Sequence, residues 1–142
     1  MKYLVVITDS ITFSSKGDVD IIDITPKVAE VVKKSKLNSG TVTIFVPGAT
    51  GAVSTIEYEP GLLKDVPEAL EVFSPTSKSY HHHKTWGCDN GRSHVRATIL
   101  GPSLVVPFVD GSLTLGTWQQ IAFIELDTRS RSRKLICQII GE

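Results

Sequence analysis

All four histidines of the chain lie between residues 81 and 94, in a segment that also contains Cys88 and Asp89. Neutral imidazole nitrogens are common metal ligands, and histidines separated by a loop can converge on one ion. The separation of His83 and His94 along the chain fits a strand end followed by a loop and the start of a helix. Their spacing alone allows two interpretations, a metal site or a pair of capping or solvent-exposed histidines.

The neighbours of these two histidines add further candidate ligands. If residues 81–83 are extended, His81 and His83 point to one side of the chain and His82 to the other, which makes His81 a candidate third ligand. A Cys88 thiolate would suit zinc, and an Asp89 carboxylate would suit zinc, manganese or magnesium. Cys137, within LICQII, is predicted to be a small core residue.

Two carboxylates within strand-like segments are candidate catalytic residues. Glu57 lies in STIEYE and Glu125 lies in AFIEL, where period-two alternation places it on one face with Ile121 and Phe123. Apolar surroundings raise the pKa of an unpartnered carboxylate, which suits a general acid or base. The alternative is a strand charge that faces water or pairs with an arginine.

Phosphate recognition has several candidates near the histidines. Arg92 and Lys84 flank the histidine segment and could bind phosphate oxygens. The amides of a turn at Gly48, Thr50 and Gly51 could hold an anion, although a glycine turn between two strands needs no ligand.

The composition describes an ordinary globular chain. The 142 residues are 41% hydrophobic and 21% charged, with 15 basic and 15 acidic residues, which argues against a broad surface for nucleic acid or an anionic membrane. Two cysteines are too few for a disulfide framework. The apolar run of residues 3–7 is short and is followed by Asp9, and no segment approaches the roughly 18 apolar residues of a membrane span. We therefore expect a cytoplasmic protein with one domain over residues 1–142.

The order of the elements predicts an α+β fold. A helix is predicted from Pro26 to about Leu37 with Thr25 as its N-cap, a kinked helix over residues 62–70, and a short helix from Ser93 to Gly101. The last third is β-rich and contains Asp110-Gly111, a strong hairpin signal. These patterns predict seven or eight largely antiparallel strands with two or three helices packed on or beside the sheet.

The strings LGPSL, DG, LGTWQ and a terminal IGE, together with DITPKVAEVV, resemble the YjbQ-like proteins, often labelled secondary thiamine-phosphate synthases. The resemblance implies a compact fold with a β-sandwich-like core, a homotrimer, and a pocket near subunit contacts. It places His83 and His94 on the paired histidines of the family and Asp89 on its acidic position. It also places Thr117 and Gln119 in the LGTWQ motif, where we expect them to bind substrate with Arg92 and Lys84. Trp118, in the same motif, could stack on a ring or fill the core, and the core is the preferred interpretation.

The site that these residues imply is a divalent metal centre of His83, His94, Asp89 and His81, with zinc first and manganese, nickel or magnesium as alternatives. One departure stands out, because many members have a histidine in the turn that reads GATGA here.

The resemblance implies a metal-dependent transferase that joins a pyrimidine diphosphate to a thiazole phosphate. The metal and Arg92 would stabilise the leaving diphosphate. A nitrogen-rich site favours zinc, manganese or nickel over the magnesium usual for such chemistry. A metallohydrolase, or a non-catalytic trimer that binds a metal or metabolite, is therefore the alternative. The expected partners are further copies of the chain and a small phosphorylated metabolite, without nucleic acid or membrane.

Overall fold

The computed structural model describes residues 2–142, which form two antiparallel sheets and four helices. The large sheet has the order β1-β8-β3-β5-β6 and the small sheet the order β2-β7-β4. The strands of the large sheet are β1 (Val5–Ser15), β3 (Gly40–Phe45), β5 (Ser103–Val109), β6 (Ser112–Leu113) and β8 (Arg131–Gly141). The strands of the small sheet are β2 (Asp20–Asp23), β4 (Gly51–Ile56) and β7 (Gln120–Glu125). The helices are α1 (Thr25–Ser35), α2 (Leu62–Phe73), α3 (His81–Trp86) and α4 (Gly91–Leu100). The predicted α+β class is confirmed.

The core consists of two clusters that meet at β7. Ile121 and Phe123 join the cluster beneath the large sheet and α1, whereas Ala122 and Ile124 join a second cluster with Leu70 of α2 and Ala97 of α4. Because both faces of β7 are covered, its residues from 121 onward are all buried. A strand buried on both faces reads as a continuous apolar run, as AFI does here.

Helix α1 follows its sequence pattern except at its start. Val28, Val31 and Val32 are buried, Pro26 occupies the first turn, and Lys36 in the left-handed region ends the helix. The prediction that Thr25 caps the helix is wrong, because the Thr25 hydroxyl accepts a 2.8 Å hydrogen bond from the Ile121 amide. That bond attaches the start of α1 to the small sheet.

Residues 81–86 form a helix and not the extended run assumed for the histidines. Its end follows from Gly87, which has a φ of 64° and donates its amide to the His83 carbonyl. Gly87, three residues after Lys84, was the signal in the sequence that predicts such a helix end. The helical backbone changes which way each of the three histidines points.

The hairpin at Asp110-Gly111 is confirmed. Both residues have positive φ angles, 51° and 72°, and the strands on either side pair through Phe108 with Leu113 and Val109 with Ser112. Among the described residues, no helix is long and apolar enough to cross a bilayer.

Candidate functional site

The histidine segment surrounds a cavity of about 280 Å³, which we call the imidazole cleft. The cleft lies between the end of α2, the segment that leads into α3, and the first turns of α4. Its lining residues are Phe73, Ser74, Lys78, Tyr80, His81, His82, Gly91, His94 and Val95. Three imidazoles and one ammonium group therefore meet there, and none of the lining residues carries a carboxylate.

The imidazole that faces His94 is His82. The two ring centroids are 4.5 Å apart, with an angle of 56° between the ring planes. With residues 81–83 extended, His82 was expected on the side opposite His81 and His83, at the surface or at an interface. On a helix, His82 instead projects onto α4, so sequence reasoning missed this residue.

His83 has a different partner from the one predicted. Its Nε2 accepts a 3.3 Å hydrogen bond from the amide of Gly91, and its ring lies 5.5 Å from that of Tyr80. This contact requires a residue without a side chain at position 91, since a Cβ there would lie 2.5 Å from the Tyr80 Cβ. His83 therefore fastens α3 to the start of α4.

The donor set does not fit the predicted metal centre. An Nε2 that accepts a hydrogen bond has no free lone pair for a metal, and neither Cys88 nor Asp89 lines the cleft. Within residues 2–142, no three histidine, cysteine, aspartate or glutamate side chains lie close enough together to hold an ion. His82 and His94 provide two nitrogens where a structural or catalytic zinc takes three or four protein ligands. A divalent ion bound to His81, His83, Asp89 and His94 stays a prediction.

The surroundings of His94 favour its neutral form. Burial lowers the pKa of His94 first, and the nearby charge of His82 lowers it further. The backbone of Ala49 and the carboxylate of Asp127 act in the opposite direction and only partly offset these effects. Because its pKa is lowered, the His94 imidazole stays neutral at pH values where an unperturbed histidine begins to be protonated.

Glu125 is fully buried and paired. Arg133 donates to both of its carboxylate oxygens, one through Nε at 2.8 Å, and the Ser15 hydroxyl donates at 2.6 Å. Burial acts to raise the pKa of Glu125, but the hydrogen bonds from Arg133, Ser15 and the Asp127 amide together lower it below its usual value. Of the two alternatives left open for Glu125, the structure shows the carboxylate that pairs with an arginine and not the unpartnered one with a raised pKa. Glu125 therefore forms a buried ion pair with Arg133.

The other predicted site residues lie apart from the cleft. Glu57 is exposed after the end of β4, and Lys84 is exposed on α3. Thr117 and Gln119 lie in an exposed loop, where the Gln119 amide donates to Thr55. The prediction that Trp118 fills the core is wrong, since it is 71% exposed.

Arg92 is held by a carboxylate that the sequence did not indicate. Its Nε and Nη2 donate to Asp18 Oδ2 at 3.0 and 2.7 Å. Arg96, one turn later and fully buried, donates to the Ser74 carbonyl and to Glu71. The two arginines connect α4 to the end of α2 and to the segment before β2. Arg96 thereby holds Ser74, a residue that lines the imidazole cleft, against α4.

The comparisons with known proteins identify the family. A family model described as UPF0047 protein YjbQ-like matches residues 9–142. The chain belongs to this family. A UPF0047 protein from Methanothermobacter thermautotrophicus is 36% identical over 140 residues, which are 99% of this chain and 96% of the relative. A UPF0047 protein from Archaeoglobus fulgidus is 38% identical over 130 residues, 92% of this chain and 98% of the relative.

Solved structures of similar proteins have the same fold. A YbjQ-like protein of unknown function from Sulfolobus solfataricus has a TM-score of 0.92 at 35% identity and covers 99% of this chain and 100% of its own. A hypothetical protein from Aeropyrum pernix has a TM-score of 0.88 at 33% identity, with 95% and 98% covered. The family membership and the fold implied by the resemblance are confirmed.

The function predicted from the resemblance is corrected by these findings. The two curated relatives are named only as UPF0047 proteins, and the Sulfolobus structure is that of a protein of unknown function. Neither description supports thiamine-phosphate synthesis, and the described residues do not form the metal centre on which the predicted enzyme depended. The same finding removes the basis of the metallohydrolase and metal-binding alternatives.

Proposed function

We propose that the protein binds a small phosphorylated metabolite in the imidazole cleft through its own side chains, without a metal. The observation that carries the proposal is the lining of the cleft, which combines His81, His82, His94 and Lys78 with no carboxylate. The Lys78 ammonium forms charge-assisted hydrogen bonds to phosphate oxygens, and an imidazole N–H donates to them whether the ring is neutral or protonated. A phosphate group would also relieve the unfavourable approach of two imidazoles that both become protonated.

The start of α4 also favours an anionic ligand in the imidazole cleft. Gly91, the first residue of this ten-residue helix, lines the cleft. The amino end of a helix carries a partial positive charge, which favours an anion placed near it. The imidazoles and the helix dipole therefore act on the same small volume.

The remaining lining suits an apolar portion of the ligand. Phe73 and Val95 are partly exposed at 45% and 38%, and both line the cleft. The Tyr80 hydroxyl donates to the Pro75 carbonyl at 2.7 Å, which leaves the Tyr80 ring to provide contact area. A phosphate monoester with a ring or short apolar part matches this division of polar and apolar surface.

The test is a titration with phenyl phosphate in the presence of a chelator, followed by calorimetry and by amide shifts of Gly91 and His82. We expect saturable binding that His82→Ala and His94→Ala each weaken roughly tenfold, as the loss of one hydrogen bond predicts. Lys78→Gln should also weaken binding, whereas Lys84→Gln, which changes a lysine outside the cleft, should not. Saturation that appears only after a divalent ion is added, or equal effects of the two lysine variants, would refute metal-independent binding in the cleft.

The homotrimer implied by the resemblance belongs to the same proposal, and the outer face of the large sheet supports it. Strand pairing brings the outward-facing residues of β1, β8, β3 and β5 into rows. Three adjacent rows carry no charge: Val6, Ile140, Thr41 and Pro107; Thr8, Gln138, Thr43 and Val105; Ser10, Ile136, Phe45 and Ser103. We call this surface the uncharged face. Val6, Val105 and Phe45 are 59%, 55% and 44% exposed, and exposed apolar residues grouped on one face mark interaction sites. The cytoplasmic location predicted from the sequence stays part of this proposal.

A further inference from the structure

We infer that the protein has a second oxyanion site, separate from the imidazole cleft, in the groove beside the first half of β8. The groove has a volume of about 340 Å³ and is lined by Val46, Pro47 and residues 131–136. Its ligand is a phosphate or carboxylate group that receives hydrogen bonds from Arg133 and from the backbone of β8. This inference does not depend on the function proposed for the cleft.

The backbone of β8 faces the groove with unpaired groups. On the side of β1, the Arg131 amide donates a hydrogen bond to the Ser15 hydroxyl, and the Arg131 carbonyl accepts one from the same hydroxyl. In an antiparallel strand, the next residue directs both groups to the opposite edge, so Ser132 and Lys134 face away from β1. From Ile136 onward that edge is paired with β3, which ends at Phe45.

The chain after β3 leaves this edge uncovered. The amide of Val46 donates to the Pro102 carbonyl at 2.8 Å and not to β8. The amides of Ser132 and Lys134 therefore open onto the groove, with no hydrogen-bond partner among residues 2–142. An edge of this kind normally receives water, a ligand or another strand.

Arg133, which lines the groove, also carries an unpartnered side-chain donor. It is only 7% exposed, and its Nε and Nη2 are fully used by Glu125 and Thr50. Its Nη1 has no partner within the described chain, and it is not sealed from solvent in the way that the buried unpartnered atoms of Asn90 and Ser93 are. A Cβ added to Gly48 would lie 3.4 Å from this Nη1, so the glycine leaves the approach to it open.

The charge of the groove favours an anion. Its lining contains Arg131, Arg133 and Lys134 and no carboxylate. Asp127 and Glu125 neutralise the two arginines from outside the lining, while Lys134 has no ion-pair partner in residues 2–142. The groove therefore keeps an excess positive charge and, in Nη1, a partly desolvated donor, which strengthens a hydrogen bond to an oxyanion.

The test is a titration of the protein with inorganic phosphate and, separately, acetate, at constant ionic strength kept with sodium chloride. Binding is followed through the amide shifts of Ser132 and Lys134 and the Nε–H signal of Arg133. We expect a saturable response that Lys134→Gln weakens and that Gly48→Val weakens roughly tenfold, since a larger side chain covers Nη1. The acetate arm shows whether a carboxylate is accepted as well as a phosphate.

The matched control is Gly116→Val, which enlarges a glycine in an exposed loop distant from β8 and should leave the response unchanged. Binding in the imidazole cleft is followed separately, through the amide shifts of Gly91 and His82. A lack of binding in the cleft would therefore not affect the result for the groove. Shifts that rise linearly to the highest phosphate concentration would overturn the inference. A saturable response that Gly48→Val and Lys134→Gln both leave unchanged would also overturn it.

Discussion

The ring of His82 lies 4.5 Å from the ring of His94, whereas the Nε2 of His83 accepts a hydrogen bond from Gly91. Adjacent histidines on α3 thus have different functions in the structure. His82 contributes to the cleft, and His83 holds the helix in place. Because His82 and not His83 faces His94, the cleft contains two imidazoles that cannot both be protonated without repulsion.

The first prediction concerns the titration of His94. We expect its pKa to lie below the ordinary value of 6.5, chiefly because of burial and then because of His82. His82→Ala should raise it, since the substitution removes a nearby charge and exposes the ring, whereas Asp127→Asn should lower it further. Proton–carbon NMR spectra of the imidazoles recorded across the titration measure both effects. A His94 pKa above the ordinary value in the wild-type chain would contradict the arrangement described.

The second prediction is the effect of the same histidine on stability. Because the folded-state pKa of His94 lies below the unfolded value of 6.5, the unfolded chain binds more protons between these two values. The contribution of His94 is fully present above 6.5 and is lost as the pH falls through the folded pKa. Urea unfolding at about pH 7.5 and about pH 5.5 should therefore show a smaller loss for His94→Gln than for wild type. An equal loss in both chains would show that His94 does not contribute.

The third prediction compares the two carboxylates that were candidate catalysts. Glu125→Gln leaves Arg133 buried without its counter-charge and should lower the free energy of unfolding by about 3 kcal/mol. Glu57→Gln changes an exposed side chain and should alter it by less than about 0.5 kcal/mol. Denaturant unfolding of both variants provides the comparison. Similar stabilities would mean that the buried pair has no structural role.

The fourth prediction concerns the two free cysteines. Cys137 is fully buried, and burial, followed by the charge of Asp9, raises the pKa of its thiol to about 11. Cys88 is only partly buried. A thiol-specific disulfide reagent should therefore label Cys88 in the native protein and both cysteines only in denaturant. The variant Cys88→Ser should show no native labelling, and rapid labelling of that variant would contradict the burial of Cys137.

The fifth prediction tests the uncharged face. Val105→Glu places a charge in the middle row of that face and should convert the proposed homotrimer to a smaller species, because an interface does not bury an unpaired carboxylate without a large cost. The control is Val72→Glu on α2, where an even more exposed valine lies outside the face. Sedimentation equilibrium at micromolar concentration gives the masses. A wild-type mass of one chain, or dissociation by the control alone, would reject the trimer through this surface.

The sequence by itself determined the family, the α+β class, the apolar stripe of α1 and the hairpin at Asp110-Gly111. Each of these depends on local periodicity or on a turn that requires positive φ angles, and both are properties of neighbouring residues. Only the tertiary structure decided which imidazole faces His94, because that depended on whether residues 81–83 were helical and on where α4 lies relative to α3. It also decided the state of Glu125, since the strand alternation placed its side chain inside but did not reveal that Arg133 would neutralise it. Contacts between elements follow from strand register and helix placement, which short-range patterns do not specify.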